Sequence, residues 1–199
     1  MRTSRIGRLV RVSVLTVLTA LTVLAVPAAL AAETYSIDPV HSAVLFRITH
    51  LGVSTFYGRF QDVSGTYVLD AENPAAASFD VTIKAESVDT HNEKRDQHLK
   101  SPDFFNAKQF PVLTMKSKSV KKTGDKTMRV TADLTIHGVT KEVAFDVTQV
   151  GAGKDPWGGY RSGFDGSFTI KRSDYDVKFM PGALGEDVTI IVSVEGVRQ

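Results

Sequence analysis

The sequence of 199 residues contains no cysteine and no strong excess of charge of one sign. Without cysteine, a disulfide framework, a thiolate metal site and a cysteine nucleophile are all excluded. The 24 Lys and Arg residues stand against 22 Asp and Glu residues, which gives a formal net charge of +2. With 42% hydrophobic and 23% charged residues, the composition is that of a globular chain rather than a disordered one. The length predicts one domain.

Residues 1–31 have the pattern of a secretory signal peptide. Four arginines among the first eleven residues precede an apolar stretch from Val12 to Val26, and Ala29-x-Ala31 follows as a cleavage pattern. We predict cleavage after Ala31, a periplasmic or secreted location, and a mature domain over residues 32–199. An uncleaved anchor is the alternative, because the stretch from Val12 to Ala32 is long enough to span a bilayer.

Removal of those four arginines leaves 20 basic and 22 acidic residues, a net charge of −2. The mature chain carries no basic stripe. Nucleic acid is therefore not expected as a partner.

The mature chain alternates between apolar and polar residues with the period of β-strands. From Thr127 to Ile136, for example, every second residue is apolar. We predict eight or nine strands, joined by short turns that favour antiparallel hairpins. The predicted strands cover residues 34–37, 42–49, 60–69, 78–88, 112–120, 127–136, 142–150, 162–171 and 186–194.

An all-β chain of this size must curl its sheet or pair it with a second sheet, and closure into a barrel removes the exposed strand edges. A barrel of about eight strands is just wide enough to hold one small ligand. The segment 91–105 interrupts the strands. Thr90-x-x-Glu93 fits a capping box, and Phe104-Phe105 follow the predicted short helix. This segment is either a lid at a barrel end or ordinary core that fills it.

Polar residues on the predicted helix form one candidate site. Arg95 and His98 are three residues apart and share a helix face, where they could receive a phosphate or another polar head group. The alternative is that Arg95 pairs with a carboxylate and fixes the helix to the barrel. Among the five histidines no pair has metal-ligand spacing, so no metal is expected.

Several motifs resemble a known family. Tyr35-Ser36-Ile37-Asp38-Pro39-x-His41-Ser42 opens the mature chain, Asn92-x-x-Arg95-Asp96-x-His98-Leu99 lies on the predicted helix, and Leu134-Thr135-Ile136-His137-Gly138-Val139-Thr140-Lys141 and Arg172-Ser173-Asp174-Tyr175 follow. In these motifs the whole mature chain resembles the YceI-like family of bacterial periplasmic proteins. Asp176 departs from the family pattern, which usually has glycine there.

The resemblance implies an eight-stranded, lipocalin-like antiparallel barrel with a short helical segment at its mouth. It also implies a binding or transport protein, without catalysis or cofactor, that holds a polyisoprenoid or another long-chain amphiphile. The residues expected to line the apolar interior are Phe46, Phe79, Val81, Ile83, Phe104, Phe105, Met128, Val130, Leu134, Phe164, Phe168 and Ile190. Those expected near the polar head are His41, His50, Arg95 and His98.

Two other functions remain open from the sequence. In the first, His41, His50 and His98 meet Asp96 in space and act on a lipid head group, as a hydrolase or through a metal. In the second, the interior is filled and the protein is a ligand-free, stress-protective barrel. Homodimer formation through an edge strand and transient contact with a membrane are also left open.

Overall fold

The computed structural model describes residues 32–199 and contains strands and one short helix. The predicted signal peptide lies outside these described residues. Residues 32–199 form eleven strands and one α-helix, α1 (Glu93–Lys100). In chain order the strands are β1 (Glu33–Ile37), β2 (Ala43–His50), β3 (Ser54–Phe60), β4 (Val63–Leu69), β5 (Ser78–Lys84), β6 (Val88–Asp89), β7 (Val112–Lys122), β8 (Thr127–Ile136), β9 (Val139–Lys154), β10 (Tyr160–Lys171) and β11 (Leu184–Arg198).

Eight of these strands close into an antiparallel barrel, which confirms the predicted fold class. The ladder runs from β1 through β4, β5, β7, β8, β9 and β10 to β11. It closes because β1 also pairs with the C-terminal end of β11. Each strand of the ring therefore has a neighbour on both sides, so that no strand of the ring is left at a free edge of the sheet.

The three remaining strands lengthen the wall at one end of the barrel. β2 pairs with the N-terminal part of β11, β3 pairs with β2, and β6 pairs with β3. The segments β1–β2, β3–β4 and β5–β6 thus act as three long strands that are each interrupted once. The predictions of uninterrupted strands over 60–69 and 78–88 are wrong. β3 was missed because Gly58 occupies one of its inward positions and breaks the apolar alternation.

Strand β8 shows why the period-two pattern gives a barrel wall. Its apolar residues Val130, Ala132, Leu134 and Ile136 are at most 6% exposed, whereas Arg129 between them is exposed. A two-residue turn joins β8 to β9, with His137 and Gly138 at φ 52° and 76°. Two positive φ values in succession match the turn type that fits the twist of a tight hairpin.

The helical segment lies at the end of the barrel that β2, β3 and β6 lengthen, and we call this end the mouth. The ring of Phe105 packs edge-on against that of Phe60 on β3, with centroids 5.4 Å apart. Asn92, not Thr90, caps α1, because the Asn92 side chain accepts a hydrogen bond from the Arg95 amide. Among the described residues, no helix has the length and apolar character needed to cross a bilayer.

Candidate functional site

A cavity of about 390 Å³ opens at the mouth, and we call it the mouth cavity. Its volume falls in the range of about 300–1,000 Å³ that is typical of small-molecule sites. Its apolar lining consists of Phe46, Ile48, Phe56, Phe60, Leu99, Phe104, Phe105, Leu113, Ile136, Ile170, Val177, Met180, Leu184, Val188 and Ile190. Its polar lining consists of His50, Ser54, Arg95, His98, Arg172 and Tyr175.

A second, narrower space of about 90 Å³ lies deeper in the barrel, and we call it the bore. It shares Phe46, Phe60, Leu113, Ile136 and Ile190 with the mouth cavity, so the two spaces adjoin. Of the residues predicted to line the interior, Phe79, Val81, Ile83, Val130, Leu134, Phe164 and Phe168 line the bore, Phe104 and Phe105 line the mouth cavity, and Phe46 and Ile190 line both. The interior is therefore wide near the mouth and narrow below it.

Phe46 lies at the boundary between the two spaces. Its ring covers Gly58, where an added Cβ would lie 2.3 Å from the Phe46 Cζ atom. The ring also packs against that of Phe60, with centroids 5.8 Å apart. Only glycine at position 58 leaves room for this ring position. Phe46 is therefore one of the five residues whose side chains bound the connection between the mouth cavity and the bore.

An aromatic cluster fills the barrel interior at the end opposite the mouth. Tyr35 and Tyr67 stack with centroids 5.0 Å apart, and Phe79 and Phe164 pack on Tyr67 at 5.7 and 5.5 Å. The Tyr67 hydroxyl donates a hydrogen bond of 2.6 Å to the Ser162 carbonyl oxygen. Burial raises the pKa of Tyr67 to about 12, so the hydroxyl remains a donor. This cluster closes the bore below.

Met128, which was predicted to line the apolar interior, lies outside both the bore and the mouth cavity. It lines a separate, more polar depression of about 340 Å³ beyond the aromatic cluster, together with Glu33, Asp70 and Lys122. Met128 is the second residue of β8, at the end of the strand that lies far from the mouth. Alternation along a strand indicates the inward face but not the depth at which a residue lies.

Arg95 reaches the mouth cavity from α1. Its Nε atom donates a 2.8 Å hydrogen bond to Thr90 Oγ1, and its Nη2 atom donates one of 2.8 Å to the Thr90 carbonyl oxygen. Its guanidinium also lies 4.3 Å from the ring centroid of Phe56. Thr90 Oγ1 donates in turn to Asp96, so Thr90 connects the helix to the end of β6. The predicted capping box is wrong, because Asp96 and Arg95 hold Thr90 instead.

His98 also lines the mouth cavity, one helical turn after Arg95. Its Nε2 atom lies 2.8 Å from Asp103 Oδ2. Its ring packs edge-on against Phe104 and Phe179, with centroids 5.1 and 4.9 Å apart. The structure thus places His50, Arg95 and His98, three of the four predicted head-group residues, around one cavity.

His41, the fourth, does not line the mouth cavity. It follows β1 and contacts Asp38, with 2.9 Å between Nδ1 and Oδ2. Arg161 donates to the same oxygen at 2.7 Å and to Glu195 at 2.5 Å. The hydrogen bonds from Arg161 and then from His41 hold the pKa of Asp38 well below its usual range.

The cluster of His41, His50, His98 and Asp96 does not assemble. Among residues 32–199, the one group of three side chains placed to hold a metal is Asp38, His41 and Glu195. The guanidinium of Arg161 already supplies a cation to both carboxylates. The arrangement is an ion-pair network that joins β1, β10 and β11.

The predicted site residues did not include Arg172 and Tyr175, which both line the mouth cavity. Arg172 and Tyr175 begin and end a 3₁₀ turn after β10, and both are buried. The motif Arg172-Ser173-Asp174-Tyr175 was the one signal in the sequence that singled them out. Period and spacing do not show that residues after β10 return to a cavity that α1 also lines.

Comparison with known proteins matches residues 35–196 to the model of the YceI-like domain. Protein YceI of Escherichia coli O157:H7 is 47% identical over 174 residues, which are 86% of this chain and 90% of that protein. The chain belongs to the YceI-like family. The predicted resemblance is thereby confirmed.

Solved structures of YceI-like barrels agree with the fold. Burkholderia cenocepacia BcnA has a TM-score of 0.73 at 25% identity, covering 80% of this chain and 98% of BcnA. A polyisoprenoid binding domain from Saccharophagus degradans, implicated in plant cell wall breakdown, has a TM-score of 0.63 at 17% identity. That match covers 83% of this chain and 98% of the domain, and it supports the barrel fold.

Proposed function

We propose that this YceI-like protein binds a long-chain, isoprenoid-type lipid in its barrel, outside the cytoplasm and without a chemical step. One observation carries the proposal: a cavity of about 390 Å³ with a mainly apolar lining opens at the mouth and adjoins an apolar bore. A barrel whose interior is completely filled would not contain such a cavity. The Saccharophagus degradans domain, a polyisoprenoid binding domain by its description, has the same fold.

The physical reason for a carrier is the poor solubility of the tail. Each methylene-sized group that leaves water for an apolar surface gains about 0.8 kcal/mol. The Phe56, Phe104 and Phe105 side chains provide that surface at the mouth. Because the bore measures only about 90 Å³, a long tail enters it after side-chain rotation, above all of Phe46.

The arrangement of the polar residues supports binding without catalysis. His98 is paired with Asp103, and among the described residues no hydroxyl group is hydrogen-bonded to the His98 ring. A hydroxyl nucleophile needs a base within hydrogen-bond reach. His41 and Asp96, which the enzymatic alternative requires, are engaged with Asp38 and Thr90.

Organic extraction of purified protein, followed by mass spectrometry, tests the proposal. We expect one long-chain lipid for each barrel, and uptake of farnesol or a longer polyprenol by protein stripped of lipid. Absence of lipid together with no uptake would overturn the proposal. The proposed location is tested separately, by sequencing the N-terminus of protein released by osmotic shock, which we expect to begin at Ala32.

A further inference from the structure

The polar lining of the mouth cavity contains basic and neutral groups alone. It comprises two arginines, two histidines, one serine and one tyrosine, and none of the described residues that line the cavity is acidic. The two arginines and the tyrosine hydroxyl provide N–H and O–H donors, and the arginines are charged at every physiological pH. This composition favours ligand groups that accept hydrogen bonds and carry negative charge.

Arg172 contributes a positive charge that is not neutralised inside the cavity. Its side chain is 5% exposed and donates to the carbonyl oxygens of Val177, Phe179, Leu184 and Gly185. No carboxylate of the described chain is within ion-pair distance of this guanidinium. Glu186 is held by the Ser173 amide, and its pKa is lowered by Ser173 first and by Arg172 to a smaller extent.

Tyr175 carries a buried donor without a partner. The residue is 2% exposed, and its hydroxyl has no hydrogen-bond partner among residues 32–199. Burial, with a smaller effect of Asp174, raises the pKa of Tyr175 to about 12. The hydroxyl therefore stays protonated. A buried donor that lacks a partner costs free energy. The hydroxyl oxygen is covered in this structure, so an acceptor oxygen of a ligand recovers that free energy once neighbouring side chains of the cavity wall rotate.

We propose that Tyr175 and Arg172, with Arg95 on the α1 side of the cavity, form a subsite for an acidic head group. The inference rests on the proposed function, since the tail of the same ligand occupies the apolar lining and the bore. The head is a carboxylate or a phosphate, because charge-assisted hydrogen bonds to an oxyanion are stronger than those to a neutral oxygen. An ammonium head is disfavoured by both arginines.

Ligands that share one tail and differ in the head test this subsite. Farnesyl phosphate, farnesol and farnesylamine are titrated into lipid-free protein, and laurate and dodecanol distinguish a fatty-acid source from an isoprenyl phosphate source. We expect farnesyl phosphate to bind about tenfold more tightly than farnesol, and farnesylamine to bind more weakly than either. Of the two acidic ligands, the one with the larger advantage over its alcohol identifies the source.

Tyr175→Phe keeps the ring and removes the hydroxyl. We expect it to reduce the affinity for farnesyl phosphate about fivefold and to leave that for farnesol within about twofold. Tyr57→Phe is the matched control, because Tyr57 is 52% exposed and lines neither the mouth cavity nor the bore. Arg95→Gln should reduce the preference for phosphate in the same direction. Arg95 is substituted rather than Arg172, because Arg172 donates hydrogen bonds to four backbone carbonyl oxygens and its removal would disturb the fold.

The outcomes separate the two proposals. Equal affinity for the three farnesyl compounds, or tighter binding of farnesylamine, overturns the acidic subsite and leaves tail binding intact. A phosphate preference that survives unchanged in both Tyr175→Phe and Arg95→Gln overturns the assigned residues. If none of the five compounds binds, the proposed function fails as well.

Discussion

Arg161 Nη1 lies 2.7 Å from Asp38 Oδ2, although 123 residues separate the two along the chain. The same atom reaches Glu195 on β11, and Nε reaches Asp155 at 3.0 Å. The side chains of Arg161 and Asp38 are 24% and 14% exposed, so solvent screens this pair only in part. The network fixes the interruption between β1 and β2 to β11 and β10, which follow β1 on one side of the ring.

Asp38→Asn should reduce stability at neutral pH and flatten its acid dependence. The pKa of Asp38 is depressed in the folded state, so its contribution is present above the unfolded pKa of about 3.9 and is lost as the pH falls below it. We expect a loss of about 2 kcal/mol at pH 7, typical of a hydrogen bond between charged groups. Urea unfolding between pH 7 and pH 2 measures both effects.

The control for this variant is Asp165→Asn, since Asp165 is exposed and makes no ion pair with the described residues. It should shift the unfolding midpoint little at any pH. Equal pH profiles for wild type and Asp38→Asn would contradict the role assigned to Arg161.

Phe105→Arg should abolish lipid uptake while the barrel remains folded. Phe105 is half-buried at the mouth, where a guanidinium can still reach water while its charge opposes an apolar tail. Titration with farnesol measures uptake, and circular dichroism checks the fold. Trp157→Arg introduces the same charge at a residue that is 81% exposed and outside the mouth cavity, and it should bind as wild type does. Normal uptake by Phe105→Arg would show that the tail enters elsewhere.

Phe46→Ala should widen the connection between the mouth cavity and the bore. We expect longer polyprenols to gain affinity relative to farnesol, because their tails extend further into the bore. The variant should also lose about 3 kcal/mol of stability, near the lower limit for removal of a packed phenylalanine. Competition between farnesol and a forty-carbon polyprenol gives the ratio. Phe56→Ala, which truncates a ring of the mouth cavity alone, should leave this ratio unchanged.

Asp176 adopts φ 64°, a left-handed conformation that favours glycine. Asp176→Ala and Asp176→Gly both lose the 2.5 Å contact with Lys178. The difference between their free energies of unfolding therefore reports the backbone effect alone. Asp176→Gly should be about 1 kcal/mol more stable than Asp176→Ala. Thermal unfolding of the two variants measures this difference, and equal midpoints would contradict the explanation. The glycine that the family resemblance leads one to expect at this position would thus have a backbone reason.

The barrel wall was predicted well because the alternation of apolar and polar residues within each strand identifies the face that is buried. Leu134 and Val130 are buried on β8 as the alternation requires. Resemblance to the family, rather than periodicity, predicted closure into eight strands. The start of α1 was predicted wrongly because Thr90 and Asn92 are both good capping residues. Hydrogen bonds of Thr90 with Arg95 and Asp96, in the first turns of the helix, leave Asn92 as the cap.

The site was predicted less completely for a related reason. Arg95 and His98 could be paired from helix spacing, but Arg172 and Tyr175 reach the same cavity from a turn more than 70 residues later. The place of His41 could not be read from the sequence, because the contact of its partner Asp38 with Arg161 forms only when β1 pairs with β11 and closes the barrel. Distances between such segments are set by topology, which local sequence patterns do not encode.

Under the proposed function, the aromatic cluster around Tyr67 leaves the mouth as the opening through which a lipid both enters and leaves. A molecule that enters tail first must also leave from the α1 end, with its head leading. A carrier of this kind would meet a donor membrane and an acceptor membrane with the same surface, so it could not contact both at once. The protein would then meet donor and acceptor vesicles in turn. The rate of transfer between the two vesicle populations would saturate separately with the concentration of donor vesicles and with that of acceptor vesicles.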